Sequence, residues 1–180
     1  TLDKTKGDNL AVFVHGTNSS PEDADPEFIK AMSDTYKEEI NQLIWSGENN
    51  KKARSKAAKD LLDLVQKHKF KEGEKLNLGG HSHGGNVLKK FTNIYQGDKK
   101  IDNMVFLGTP VRDDYELNNK VLSKDSKVLN VYDKSDLVQK LGGYTNIPFT
   151  DVTIPMGVAK QIIIDNKRVR NIEVEAPNDK

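Results

Sequence analysis

Apolar residues follow two patterns that alternate along the chain. Continuous apolar runs, typical of buried strands, lie at 9–15, 41–45, 74–80, 101–108 and 127–133. Helical spacing of apolar residues fills the intervals at 26–40, 50–68 and 86–95. Three tail stretches also have strand character, at 152–155, 161–165 and 168–176. This alternation predicts a three-layer α/β/α fold, in which helices cover both faces of a mostly parallel sheet of about six strands.

Composition narrows the class of protein without giving a function. The 180 residues, 35% hydrophobic and 31% charged, suit a single globular domain over 1–180. A formal charge of +1 gives no electrostatic reason to expect a nucleic-acid partner. The absence of cysteine excludes disulfides, thiolate zinc sites and a cysteine nucleophile. Because the chain starts at Thr1 rather than Met, we expect it to be a processed product or a piece cut from a larger protein.

A glycine-bracketed serine lies between one predicted strand and the next predicted helix. Gly80-His81-Ser82-His83-Gly84 matches G-x-S-x-G in the strand-turn-helix context that this motif requires. Such a sharp bend strains the central residue, and glycines two positions away on each side prevent collisions. The serine hydroxyl then stands above the sheet edge, with the N–H of residue 83 at the start of the helix. We therefore predict Ser82 to be a nucleophile.

Two other interpretations of this stretch remain open. One is a glycine-rich turn that holds its serine by chance. The other is a metal site formed by His81 and His83, which we disfavour because alternate residues of such a bend point apart and no acidic or cysteine partner is nearby. We predict no metal and no cofactor.

Four stretches together resemble bacterial lipase-like members of the α/β-hydrolase family. They are VFVHGTNSSP, GGHSHGGNV, FLGTPVRDDY and NVYDKSDLVQKLGG, within residues 9 to 143. The WSGENN stretch with the residues that follow it (45–61), together with TPVRDDY, is similar to lipase-type domains of secreted bacterial effectors and polymorphic toxins. The resemblance implies a serine–acid–histidine triad in that order and no cofactor. It also implies a minimal form of the fold that lacks the first two strands of the family.

The resemblance also assigns an oxyanion hole. In α/β-hydrolases one N–H group follows the nucleophile, and the second comes from the loop after a neighbouring strand. His15-Gly16-Thr17 closes the first predicted strand, and glycine there lets the backbone approach a substrate. The expected donors are the N–H groups of Thr17 and His83.

The triad acid is expected directly after the strand at 127–133. Asp133 and Asp136 both lie there, and both are also common turn formers. The following Leu-Val-Gln favours Asp136 as the acid, whereas Asp133 suits a turn cap.

The triad base is missing from its expected place. All four histidines precede Asp136: His15, His68, His81 and His83. The resemblance implies a histidine on the loop just after the last strand, and the last predicted strand ends at Ala176. We therefore favour a histidine beyond Lys180 and expect the domain to be truncated at its C terminus. The alternatives are substitution by an existing histidine, of which His15 and His81 are nearest the serine, and loss of catalysis.

The expected function is hydrolysis of carboxyl esters of lipids, as in a lipase, phospholipase or esterase. An acyltransferase and a catalytically silent binding domain are the alternatives. Expected partners are an apolar ester, a membrane surface contacted peripherally, and an immunity or carrier protein if the chain belongs to a toxin. The sequence does not fix a compartment; the resemblance implies a bacterial protein, secreted or delivered as part of a longer chain.

Overall fold

A computed structural model describes residues 9–110, 114–133, 143–146, 153–156 and 168–174. Its strands and α-helices follow one another along the chain as β1 (Leu10–Val14), α1 (Pro26–Tyr36), β2 (Ile40–Leu43), α2 (Lys51–Lys67), β3 (Leu76–His81), α3 (His83–Ile94), β4 (Ile101–Leu107), β5 (Leu122–Asp133), β6 (Gly143–Asn146), β7 (Thr153–Met156) and β8 (Val169–Val174).

Six of these strands form one sheet in the order β2-β1-β3-β4-β5-β8, and all five neighbouring pairs are parallel. Strands β6 and β7 form a separate antiparallel pair. The predicted α/β class and six-stranded parallel sheet are therefore confirmed. Because parallel strands end at the same edge, the loops after β1, β3 and β4 leave from the carboxyl edge, where β5 also ends.

Helices cover both faces of the sheet, as predicted. Alternate residues of β1 point to opposite faces, so that Val12 packs in one apolar cluster and Phe13 in the other. The larger cluster holds the apolar sides of α2 and α3, and the smaller one holds Phe28 and Met32 of α1. Strand β1 is buried at all of its positions, which explains its continuous apolar run.

The predicted helix over 26–40 is wrong at its C-terminal end. α1 stops at Tyr36, and Lys37 adopts a left-handed backbone (φ 56°) whose N–H bonds Ser33 O. Ile40 instead begins β2 and pairs with Ala11. Strand β5 also begins earlier than predicted, at Leu122. The predicted strand at 161–165 lies outside the described residues.

Candidate active site

Ser82 occupies a strained turn between β3 and α3. Its backbone has φ 51° and ψ −129°, a region that L-residues rarely occupy. The Ser82 N–H donates to Leu107 O at 2.8 Å, which ties the turn to the end of β4. The hydroxyl does not cap α3, and it makes no hydrogen bond to any residue that the structure describes. The side chain is therefore held in place while its oxygen stays available.

The glycines around Ser82 leave no space for side chains. A Cβ on Gly80 would lie 2.7 Å from Gly85 N, and one on Gly84 would overlap the carbonyl of Val14. Gly85 is pressed in the same way against the side chain of Thr109. These contacts explain why the turn needs glycine on both sides of the serine. The catalytic role that the sequence assigns to Ser82 stays a prediction.

The loop after β1 runs directly beside Ser82. A Cβ placed on Gly16 would lie 3.0 Å from Ser82 Cβ and 3.2 Å from His81 Nδ1, so only glycine allows this approach. The N–H of Thr17, the next residue, donates no hydrogen bond within the described part of the chain. Its side-chain Oγ1 is buried and also lacks a hydrogen-bond partner there. An unused N–H thus lies one residue from the backbone that touches Ser82.

Three side chains hold this loop. The Trp45 indole N–H donates to His15 O at 3.1 Å, and the two rings stack with centroids 5.5 Å apart. The Ser19 hydroxyl donates to Gly16 O at 2.9 Å, and His15 Nδ1 lies 3.0 Å from the same oxygen. Sequence reasoning missed Trp45 and Ser19, because Trp45 belongs to the loop after β2 and no local pattern marks the contact.

The backbone adds a further link between the same two loops. Asn18 N donates to Gly47 O at 2.8 Å. Gly47 has φ +67°, and a Cβ there would lie 2.9 Å from Ser19 O. The loops after β1 and β2 therefore form one packed unit at the carboxyl edge.

A buried arginine joins the loop after β2 to the loop after β4 at this edge. Arg54, in the first turns of α2, is 3% exposed. Its Nε donates to Tyr115 Oη at 2.7 Å and its Nη1 to Asn49 Oδ1 at 2.9 Å. No carboxylate pairs with the guanidinium among the described residues. Neutral oxygens thus hold this cation, which links the start of α2 to the loop after β4.

The histidines occupy different environments. His83 Nδ1 lies 3.1 Å from Asn86 Nδ2, which also donates to Pro110 O at 3.1 Å. His68 follows α2 at the amino edge, where its Nε2 lies 3.5 Å from Glu74 Oε2. The length of β3 separates His68 from Ser82, so this histidine is badly placed to act as a base.

The two candidates for the triad acid follow β5 closely in sequence. Asp133 is the last residue of β5, at the same sheet edge as Ser82 but with β4 between their strands. Asp136 lies outside the described residues. Within the described ranges, no group of three histidine, cysteine or carboxylate side chains could hold a metal ion. No helix there is both long enough and apolar enough to cross a bilayer.

Comparison with solved structures identifies the architecture. A protein from Xanthomonas campestris pv. campestris, assigned to the alpha/beta superfamily of hydrolases, superposes with a TM-score of 0.51 at 10% identity, over 69% of this chain and 71% of its own. The chain has the fold of the α/β-hydrolase superfamily. At this identity the likeness speaks for the fold alone.

Two further structures match the α/β-hydrolase fold less closely. A lipase-esterase related protein from Clostridium acetobutylicum gives a TM-score of 0.45 at 16% identity, covering 76% of this chain and 78% of its own. A protein from Pectobacterium atrosepticum, assigned as a YdeN-like hydrolase, gives 0.43 at 12% identity, with coverages of 69% and 63%. Neither score is high enough to support a conclusion. No protein-family model and no curated protein matches the chain.

Proposed function

We propose that this protein is a serine hydrolase that cleaves carboxyl esters of lipids or other apolar acids. The observation that carries the proposal is the strained Ser82, whose hydroxyl has no structural partner in the described chain and whose side chain lies against Gly16, the residue before the unused N–H of Thr17. Strained backbone at a polar residue is found mostly at functional sites. The ester substrate follows from the resemblance of the GHSHGG and FLGTP stretches to lipases.

The proposed reaction has two steps. Ser82 Oγ attacks the ester carbonyl while a general base takes its proton, and the carbonyl oxygen becomes an oxyanion. The base then gives that proton to the departing alcohol, which leaves an acyl-serine. A water molecule attacks this intermediate in the same way, and the acid and free Ser82 are released. The N–H groups of Thr17 and His83 stabilise both oxyanions, each contributing about 3 kcal/mol.

The proposed base is a histidine that follows Asp136 in the full-length protein. This assignment is supported by the resemblance, in which the acid orients a later histidine. It is also supported by the environment of Ser82, because no described histidine bonds its hydroxyl. His15 stays an alternative within this chain, because its Nδ1 bonds Gly16 O and its Nε2 has no partner among the described residues. His81 is the other alternative within this chain, since it directly precedes Ser82.

The test is hydrolysis of p-nitrophenyl butyrate by this chain and by the full-length protein that contains it, each beside Ser82→Ala. Ser55→Ala is the matched control, because its hydroxyl bonds only Lys51 O on the outer side of α2. Activity that disappears with Ser82→Ala and survives Ser55→Ala would support the proposal. Activity in the longer protein alone would place the base outside this chain.

A second measurement separates a silent domain from an enzyme with another substrate. A fluorophosphonate probe reacts with activated serines and does not depend on the acyl group of the natural ester. Labelling of Ser82 without ester hydrolysis would indicate a different acyl substrate or transfer to another acceptor. Folded protein that neither hydrolyses the ester nor reacts with the probe would refute the proposed hydrolase and favour the catalytically silent binding domain.

A further inference from the structure

The hydrogen bonds of the loop after β1 determine which way its N–H groups face. A trans peptide is planar, so the C=O of one residue and the N–H of the next point in opposite directions. Trp45 binds the C=O of His15 and thereby orients the N–H of Gly16. Ser19 binds the C=O of Gly16 and thereby orients the N–H of Thr17.

The tautomer of His15 strengthens this arrangement. Gly16 O can only accept, so the nearby His15 Nδ1 must carry the proton and donate to it. The same nitrogen lies 3.3 Å from Ser19 Oγ. Gly16 O therefore receives two donors, and stacking on Trp45 keeps the His15 ring in place. Both donors hold the Gly16–Thr17 peptide by its carbonyl oxygen, on the side opposite its N–H.

We propose that Ser19, His15 and Trp45 are positioning residues that set the Thr17 N–H for the oxyanion before substrate binds. This inference rests on the proposed hydrolase function and assigns these residues a role in its rate. Ser19 and His15 act through the carbonyl of Gly16, and Trp45 acts through that of His15. Donors that are oriented in advance need no reorganisation when the negative charge develops.

This mechanism predicts an effect on kcat more than on KM. A ground-state ester oxygen carries little charge and gains little from the Thr17 N–H, whereas the oxyanion gains much. Loss of an entire oxyanion donor lowers kcat by roughly 100- to 1,000-fold. Loss of one support leaves the donor present but less well directed. We expect Ser19→Ala to lower kcat about tenfold and to leave KM within about twofold.

The loop offers a matched control in its next residue. Ser20 also carries a hydroxyl, but that hydroxyl bonds Asp23 at 2.9 Å and not the Gly16 peptide. Ser20→Ala should leave kcat unchanged. Ser19→Thr keeps the hydroxyl and should recover most of the rate. Trp45→Phe keeps a ring for stacking, removes the donor to His15 O, and should lower kcat in the same way as Ser19→Ala.

The experiment compares kcat and KM of these variants with p-nitrophenyl butyrate, in whichever form of the protein hydrolyses it. The Thr17 amide proton is followed by NMR in the fluorophosphonate adduct, whose phosphoryl oxygen mimics the oxyanion. We expect a downfield shift of this proton in the wild type and a smaller one in Ser19→Ala. Equal rates for Ser19→Ala and Ser20→Ala, or no recovery with Ser19→Thr, would overturn the inference while the hydrolase proposal stands. A wild type without Ser82-dependent hydrolysis or labelling would overturn both.

Discussion

Lys89 offers a quantitative test of how the helices pack on the sheet. It lies on α3 and is only 3% exposed. Its ammonium makes no hydrogen bond or ion pair with the described residues, and it lies 5.8 Å from the centre of the Phe106 ring. Burial lowers the pKa of Lys89 from 10.5 to about 8. The folded state therefore holds this proton less tightly than the unfolded chain does.

The sign and size of the effect follow from that difference in pKa. Below pH 8 the lysine is charged in both states, and the folded state carries the whole cost of burying the charge. Between about pH 8 and pH 10.5 unfolding takes up a proton, so the free energy of unfolding rises with pH. At 1.36 kcal/mol per pKa unit, the cost at pH 7 is roughly 3 kcal/mol.

Replacing Lys89 with methionine removes the charge and keeps a long apolar side chain in the same space. We expect Lys89→Met to raise the free energy of unfolding at pH 7 by about 2 kcal/mol, since attraction to the Phe106 ring offsets part of the cost. The advantage over wild type should shrink towards zero at pH 10. Urea unfolding at pH 7, 8, 9 and 10 measures both quantities. Lys59→Met, on the exposed side of α2, is the control and should show neither effect.

A Lys89→Met protein that is no more stable than wild type at pH 7 would refute this account of a buried, uncompensated charge. A difference that stays the same from pH 7 to pH 10 would also refute it, because that result would come from packing and not from titration.

Three further predictions test the site and its supports. Gly84→Ala should destabilise the fold by roughly 3 kcal/mol or more, because its Cβ overlaps the Val14 carbonyl, whereas Gly73→Ala, at φ +84° with open space around it, should cost only about 1 kcal/mol. If chemical unfolding gave the same loss of unfolding free energy for Gly84→Ala and Gly73→Ala, the backbone around Gly84 would have to shift easily to make room for the new Cβ. Arg54→Met and Tyr115→Phe should show a coupling of about 1.5 kcal/mol in a double-mutant cycle, since one charged hydrogen bond joins them, and additive effects would contradict that link. Ser82→Gly should be about 1 kcal/mol more stable than Ser82→Ala because only glycine relieves the strain at φ 51°, and both should be inactive; equal stability would show that the turn is not strained.

The sheet and the elbow turn could be predicted from the sequence because both depend on local information. Strand β1 is apolar and buried along its whole length, so its burial on two faces is visible in the run itself. The elbow lies within a few consecutive residues, and the two glycines of its motif are required by contacts inside the same turn, for Gly80, and with β1, for Gly84. The end of α1 was mistaken because Ile40 fits the spacing of a helix and also the start of a strand. Lys37, which ends the helix in a left-handed conformation, is not a residue that favours it.

The supports of the site could not be predicted, because they join residues that are far apart in sequence. Trp45 reaches His15 across 30 positions, and Arg54 reaches Tyr115 across 61. Neither contact has a periodic pattern, and each depends on the strand order that places the loops side by side. The sequence alone leaves two candidates for the triad acid for a related reason, since Asp133 and Asp136 lie only three positions apart at the end of the same predicted strand.

The backbone strain at Ser82 is informative because no stabilising contact of the serine hydroxyl with the described residues offsets it. A glycine would adopt φ 51° and ψ −129° at much lower cost, and the Ser82 hydroxyl supplies no cap to α3 and no bond to the described residues in return. The bond from Ser82 N to Leu107 O and the packing of Gly84 against β1 keep the turn in this conformation. Selection for stability alone would place glycine here. A serine that destabilises the fold, and whose hydroxyl oxygen makes no bond to the described residues, is better explained by chemistry at that oxygen. The comparison of Ser82→Gly with Ser82→Ala therefore bears on function as well as on stability.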